Sequence, residues 1–128
     1  MGKVVLCDTN IAIEFLYKGN DSVQKNLEHI GNDNIRFSII SLAEAVCKAD
    51  KKNINKIKQF FNQYEVYDLN EGISRTFKGL IYTHFERRSQ WIPDALIAAT
   101  AIHNNIQLYT NNRKDFDFLE GLKLYQPV

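Results

Sequence analysis

Ile92–Thr110 reads IPDALIAATAIHNNIQLYT, and two elements follow one another in it almost without a break. Proline suits the first turn of a helix, where its missing N–H breaks no bond, so Pro93 marks a start. The alanine-rich stretch Ala95–His103 is apolar on most sides, as expected of a helix enclosed by its neighbours. After two asparagines, Ile106–Thr110 has the length of a buried strand.

The same alternation extends outward in both directions. Lys3–Cys7 (KVVLC) is apolar and partly β-branched, with no room for a helix before the turn-like Asp8-Thr9-Asn10, and reads as the first strand. Ile35–Ile40 (IRFSII), Glu65–Leu69 (EVYDL) and Leu122–Tyr125 (LKLY) read as further strands. Between them, Val23, Leu27 and Ile30 follow Asp21-Ser22 at helical spacing, and that helix is expected to stop near Gly31-Asn32. Ser41 is the expected N-cap of a helix carrying Leu42, Ala45 and Val46, with Ser41-x-x-Glu44 matching a capping box. Ile54, Ile57, Phe60 and Phe61 predict another helix. Asn70 caps a long one through Ile73, Phe77, Leu80, Ile81 and Phe85, and Asn112–Leu119 is read as a short helix. Ile11–Leu16 has mixed spacing and no clear period. Strands alternating with helices call for crossover connections, hence an α/β fold with a parallel sheet covered on both faces. With 128 residues and no repeat or linker, one domain over 1–128 is expected.

Composition narrows the class. A hydrophobic fraction of 45% with 24% charged residues is that of an ordinary globular chain, which excludes a disordered or collagen-like one. Cys7 and Cys47 lie in apolar segments with no second pair nearby, which predicts buried free thiols in a reducing cytosol and no zinc site. No apolar run approaches the roughly 20 residues of a membrane span. Met1-Gly2-Lys3 leads straight towards the first strand, and MGKVVL has neither a signal-peptide pattern nor the Ser or Thr of a myristoylation signal. These readings place the chain in the cytoplasm. The formal net charge of +1 gives no global attraction to polyanions. Local cations do occur at Lys48, Lys51, Lys52, Lys56 and Lys58, at Arg87-Arg88, and at Arg113-Lys114, either as phosphate-holding patches or as solvated helix faces.

Four acids stand where strands end or helices begin: Asp8 in VVLCDTN, Glu44 in SIISLAEA, Asp94 in IPDALIAATA and Asp115 in LYTNNRKDF. Each alone has a structural explanation. Asp8 suits an Asx-turn, Glu44 closes a capping box, Asp94 favours a helix dipole, and Asp115 is a surface acid before Phe116. Together they fall at one edge of the inferred sheet, beyond the carboxyl ends of its strands, where sites of open parallel sheets form. Gathered carboxylates either take up protons or bind a cation. Oxygen ligands without matching His or Cys favour Mg²⁺ or Mn²⁺ over Zn²⁺, and such ions hydrolyse phosphodiesters. Thr9, Asn10, Ser41, Thr110 and Asn112 stand beside the acids, where they can orient carboxylates or serve ordinary turn and cap chemistry.

On VLCDTNIAIEFL, SIISLAEAVCKA, IPDALIAATAIHNNIQLYTNNRKDF and the closing LEGLKLYQPV, the chain resembles the PIN-domain ribonucleases, and among them the VapC-type toxins of toxin–antitoxin pairs. The resemblance covers essentially the whole chain. It implies a three-layer α/β/α domain, usually homodimeric, and Mg²⁺- or Mn²⁺-dependent endoribonuclease activity with a cognate antitoxin as partner. By motif it makes Asp8, Glu44 and Asp94 metal-binding carboxylates, with Asp115 the fourth, less regular acid. Asn112 supports that fourth position, and Asp117 two residues on shares the claim. Hydrolysis in this family leaves 5′-phosphate and 3′-hydroxyl ends, and Arg87, Arg88, Arg113 and Lys114 stand ready to grip flanking phosphates. Two other readings compete. One is a catalytically weak PIN-like subunit acting as a binding partner in a nucleic-acid-binding complex, which has no need of concentrated acids. The other is a phosphatase using Asp8 as nucleophile, against which the missing second aspartate in Cys7-Asp8-Thr9-Asn10 counts.

Overall fold

The computed structural model describes residues 3–128; Met1 and Gly2, read above as leading towards the first strand, lie outside them. Strand β1 (Val5–Cys7) is followed by helices α1 (Thr9–Tyr17) and α2 (Asp21–Ile30). Then come β2 (Ile35–Ser38), α3 (Ile39–Cys47), α4 (Ile54–Asn62) and β3 (Glu65–Tyr67). Helices α5 (Glu71–Thr83) and α6 (Ile92–Asn104) precede β4 (Gln107–Tyr109) and β5 (Lys123–Leu124). The five strands form one parallel sheet in the order β3-β2-β1-β4-β5.

The pleat sorts the core into two layers, because successive side chains leave a strand on opposite faces. Val5 and Cys7 join Ile11, Val23, Leu27, Phe37, Ile57, Phe60 and Phe61 on one face. Leu6 points the other way, into Trp91, Ala95, Ala98, Ala101, Leu108 and Phe116. Both layers are continuous, so the three-layer α/β/α expectation holds. Helix α6 supplies five of its alanine and isoleucine side chains at no measurable exposure, which is why its sequence shows no polar stripe. Pro93 lies in its first turn as expected, and Asn105 ends it in the left-handed conformation.

Several local expectations are corrected. The strand Ile35–Ile40 ends at Ser38, whose hydroxyl accepts from the Ile40 N–H and caps α3. Ser41 is therefore inside the helix and buried, not its cap. Ile39 and Ile40 are β-branched and extend the apolar run, which hides the boundary. The stretch of mixed spacing after Asp8 is helix α1, capped by Asp8 itself. The expected helix over Asn112–Leu119 is a single 3₁₀ turn, Arg113–Asp115, followed by turns. The long helix α5 stops at Thr83, leaving Phe85 in another 3₁₀ turn. Cys7 is buried, but Cys47, on the last turn of α3, is exposed. No helix among the described residues is long and apolar enough to cross a membrane.

Candidate active site

Asp8 belongs to the carboxyl edge of the central strand. Its backbone N–H continues the sheet ladder to the Tyr109 carbonyl at 2.9 Å, and its extended backbone turns the chain into α1. The side chain is only 3% exposed, and both its oxygens are engaged. Oδ1 accepts from the Thr9 N–H at 2.7 Å, and Oδ2 accepts from the Thr110 hydroxyl at 2.9 Å. Thr110 in turn accepts from the Asn112 N–H at 2.9 Å. That bond fills a lone pair of the hydroxyl and leaves its proton aimed at Asp8. Asn112 thus acts here through its backbone, while its side chain is exposed.

Glu44 reaches the same edge from the second turn of α3. The Thr9 hydroxyl donates to Glu44 Oε1 at 2.6 Å and lies 3.1 Å from Ser41 Oγ. A hydroxyl has one proton, and a carboxylate can only accept, so the Ser41 hydroxyl supplies the proton of the longer contact. Thr9 consequently ties Asp8 and Glu44 together, its N–H on one acid and its side chain on the other. Asp94, half-buried in the first turn of α6, makes no side-chain hydrogen bond among the described residues. Asp115 lies in the 3₁₀ turn after β4. Its carboxylate is 3.9 Å from Arg87, and its carbonyl accepts from the Trp91 indole at 3.1 Å. Asn10 is half-buried on α1, and Asp117 is exposed.

Two of the acids, Asp8 and Asp94, have raised proton affinity. Burial raises the Asp8 carboxyl above its ordinary range; the Thr110 and Thr9 hydrogen bonds oppose this, and the charges of Glu44 and Asp115 add to it. Burial also lifts Asp94, to about 7, with Asp8, Asp115 and Glu44 contributing repulsion and Lys48 opposing. Beside Asp8, burial pushes the Cys7 thiol up, and the Asp8 charge adds to the effect, so it stays protonated. Like charges repel, and the acids share a field without converging: among the described residues, no three His, Cys, Asp or Glu side chains form a ready ligand group. In chemistry the set suits a hard divalent cation, being all carboxylate with hydroxyls behind it, and a cation between the acids would relieve the repulsion.

The basic residues divide differently from expectation. Arg87 lies over the Phe118 ring at 3.8 Å and beside Asp115, and Arg113 donates to the Tyr125 carbonyl at 3.4 Å. Both are engaged in the protein. Lys48, read in the sequence only as one of a cluster, is the cation felt at Asp94. Its position four residues after Glu44, one helical turn along the same face, was the available signal.

A PIN domain model matches residues 5–120. Ribonuclease VapC2 of Rickettsia felis is 35% identical over 94% of this chain and 96% of its own length. Ribonuclease VapC1 of Methanocaldococcus jannaschii is 32% identical, over 94% of this chain and 86% of its own. The crystal structure of VapBC2 from Rickettsia felis, bound to a DNA fragment from their promoter, superposes with a TM-score of 0.81 at 30% identity, covering 95% of this chain and 97% of that one. With a family model matched over most of its length and near full-length similarity to two VapC ribonucleases, the chain belongs to the PIN domain family.

Proposed function

We propose that the chain is the endoribonuclease toxin of a toxin–antitoxin pair, hydrolysing RNA phosphodiester bonds at the Asp8–Glu44–Asp94 edge of the sheet. The observation that carries this reading is that carboxylates from four separate elements stand at a single edge, where burial, and then the charges of the other acids, raise the proton affinity of Asp8 and Asp94. PIN-domain ribonucleases depend on a divalent cation, and Mg²⁺ or Mn²⁺ suits an all-oxygen donor set. Asp8, Glu44 and Asp94 would hold it, with Asp115 as the fourth acid. When bound, the cation acidifies water and draws charge from phosphoryl oxygens.

The chain's own contribution is orientation and proton control. Thr110 and the Thr9 N–H fix both oxygens of Asp8, so the carboxylate cannot rotate away as RNA approaches. Thr9 holds Glu44 in register with Asp8, and the Ser41 hydroxyl braces Thr9. Asp94 makes no side-chain hydrogen bond among the described residues; burial and the neighbouring acids hold its proton towards neutrality in the cation-free protein, and taking up the cation would release it. Water adds to phosphorus, the bond to the 3′ oxygen breaks, and that oxygen takes up a proton, leaving 5′-phosphate and 3′-hydroxyl ends. The partners of this reading are an antitoxin and a second copy of the chain. Tyr82, Phe85 and Ile92, exposed around the turn between α5 and α6, supply apolar surface suited to such contacts.

The test is Asp8→Asn, with the fold checked by circular dichroism. Mg²⁺-dependent RNA cleavage is expected to disappear; undiminished cleavage would overturn the assignment.

A further inference from the structure

A groove of about 270 Å³ opens beside α3, lined by Ile13 and Tyr17 of α1 and by Ala45, Lys48, Ala49 and Asn53. Its position follows from helix geometry. On α1, Thr9, Ile13 and Tyr17 succeed one another at one-turn intervals; on α3, so do Glu44 and Lys48. The first member of each series is bonded at the acids, Thr9 to Glu44, and the later members line the groove. The groove therefore begins one helical turn from the carboxylates and leads away from them.

Lysines stand in it and beside it. Lys48, exposed at the C-terminal end of α3, forms no ion pair among the described residues, in contrast to Arg87. Lys56 is fixed nearby, with its ammonium 5.0 Å from the Tyr17 ring centre and 3.3 Å from the Leu16 carbonyl. Lys51 and Lys52 occupy the 3₁₀ turn between α3 and α4, and Asp50 is the acid among the lining residues. A cationic rim over an apolar floor fits a single strand, which presents phosphates on one side and base faces on the other.

We propose that this groove carries the RNA strand leaving the cleavage site, and that Lys48 holds the first phosphate beyond the scissile one. This rests on the ribonuclease reading for the identity of its ligand. Lys48 is a binding residue in it, acting on KM and leaving the chemical step to the acids. A protein segment in the same groove is the competing occupant, and the test separates the two.

The probe is a short 5′-fluorescein single-stranded RNA of mixed sequence, titrated by anisotropy against the full chain carrying Asp8→Asn, with and without Lys48→Gln, over a salt series. Loss of one phosphate contact is expected to lower the slope of log affinity against log salt by about 0.7. It is also expected to weaken binding on the order of five- to tenfold at low salt, since a slope of about 0.7 amounts to about fivefold for each tenfold fall in salt. In the cleaving protein, Lys48→Gln is expected to raise KM by a similar factor with kcat within about twofold, while Lys78→Gln on α5 changes neither. An unchanged salt slope overturns the proposal, as does a fall in kcat without a rise in KM, which would put Lys48 among the groups acting on Asp94. Weakened binding of the antitoxin by Lys48→Gln with RNA affinity intact would give the groove to protein and overturn it too. If the unmodified chain cleaves no RNA with Mg²⁺ or Mn²⁺, the ribonuclease reading fails, while the anisotropy series still decides the groove.

Discussion

Asp94→Asn is expected to stabilise the cation-free protein at alkaline pH. The Asp94 carboxyl is lifted from 3.8 to about 7, by burial first and then by Asp8, Asp115 and Glu44. A carboxyl whose proton affinity is higher in the folded state contributes stability that is complete below the unfolded value and is lost as pH rises through the folded one. The window thus runs from about pH 4 to about pH 8. Three pH units at about 1.4 kcal/mol each come to about 4 kcal/mol. Asp94 is only half-buried, so solvent screening reduces this to about 2 kcal/mol. Asparagine keeps the shape and removes the charge. Urea unfolding in EDTA is expected to show Asp94→Asn about 2 kcal/mol more stable than the unmodified chain at pH 8, the two becoming equal near pH 4. Adding Mn²⁺ at pH 8 is expected to stabilise the unmodified chain and to do little for the variant. Equal stability at pH 8 in EDTA, or a less stable variant, would refute the idea that these acids repel one another at a shared site.

Two further outcomes test the supports. Thr110→Val removes the hydroxyl that orients Asp8 Oδ2 and is expected to raise the half-saturating Mn²⁺ concentration for RNA cleavage by 10–100-fold, with Thr110→Ser recovering most of it; unchanged cation dependence would discount the hydroxyl. Asn26, fully buried, donates to the Ser22 carbonyl and accepts from the Tyr125 hydroxyl at 3.1 Å and the Val128 N–H at 2.8 Å. Asn26→Ala leaves those donors without their acceptor and is expected to cost about 2–3 kcal/mol in urea unfolding, whereas a loss below about 0.5 kcal/mol would contradict the role given to it.

The sequence disclosed most where local chemistry and global position coincide. KVVLC is too short for a helix and mostly apolar, which points to a buried strand; the strand is its last three residues, and Asp8 directly after them falls at the carboxyl edge. Pro93 and the alanines of α6 announce a helix start and its enclosure. Helix α1 escaped notice because Ile11 and Ala12 turn to the core while Phe15 and Tyr17 stay partly exposed, which blurs the period. The β2–α3 boundary escaped because isoleucine serves both elements, leaving the choice between Ser38 and Ser41 to tertiary packing. The acids could be placed at one edge, but nothing along the chain says that Thr9 bridges two of them or that the Thr110 hydroxyl holds Asp8. Those facts depend on pairings over 35 and 102 positions. Cys47 is exposed despite its apolar neighbours in sequence, because these do not bury a residue on the outer face of a final helical turn.

The central place of β1 has a consequence for synthesis. The strand is made first, yet one of its neighbours, β4, begins at Gln107, and the hydroxyl that orients Asp8 is at Thr110. During translation the early residues can form α1, α2 and the β1–β2 pair, but the edge that assembles the acids stays open until the last fifth of the chain has left the ribosome. High contact order of this kind slows folding. For a nuclease emerging beside ribosomal and messenger RNA it would also act as a delay: an unfinished chain lacks the Thr110 hydroxyl and Asp115 of the proposed site, and premature termination before β4 is expected to yield an inert product.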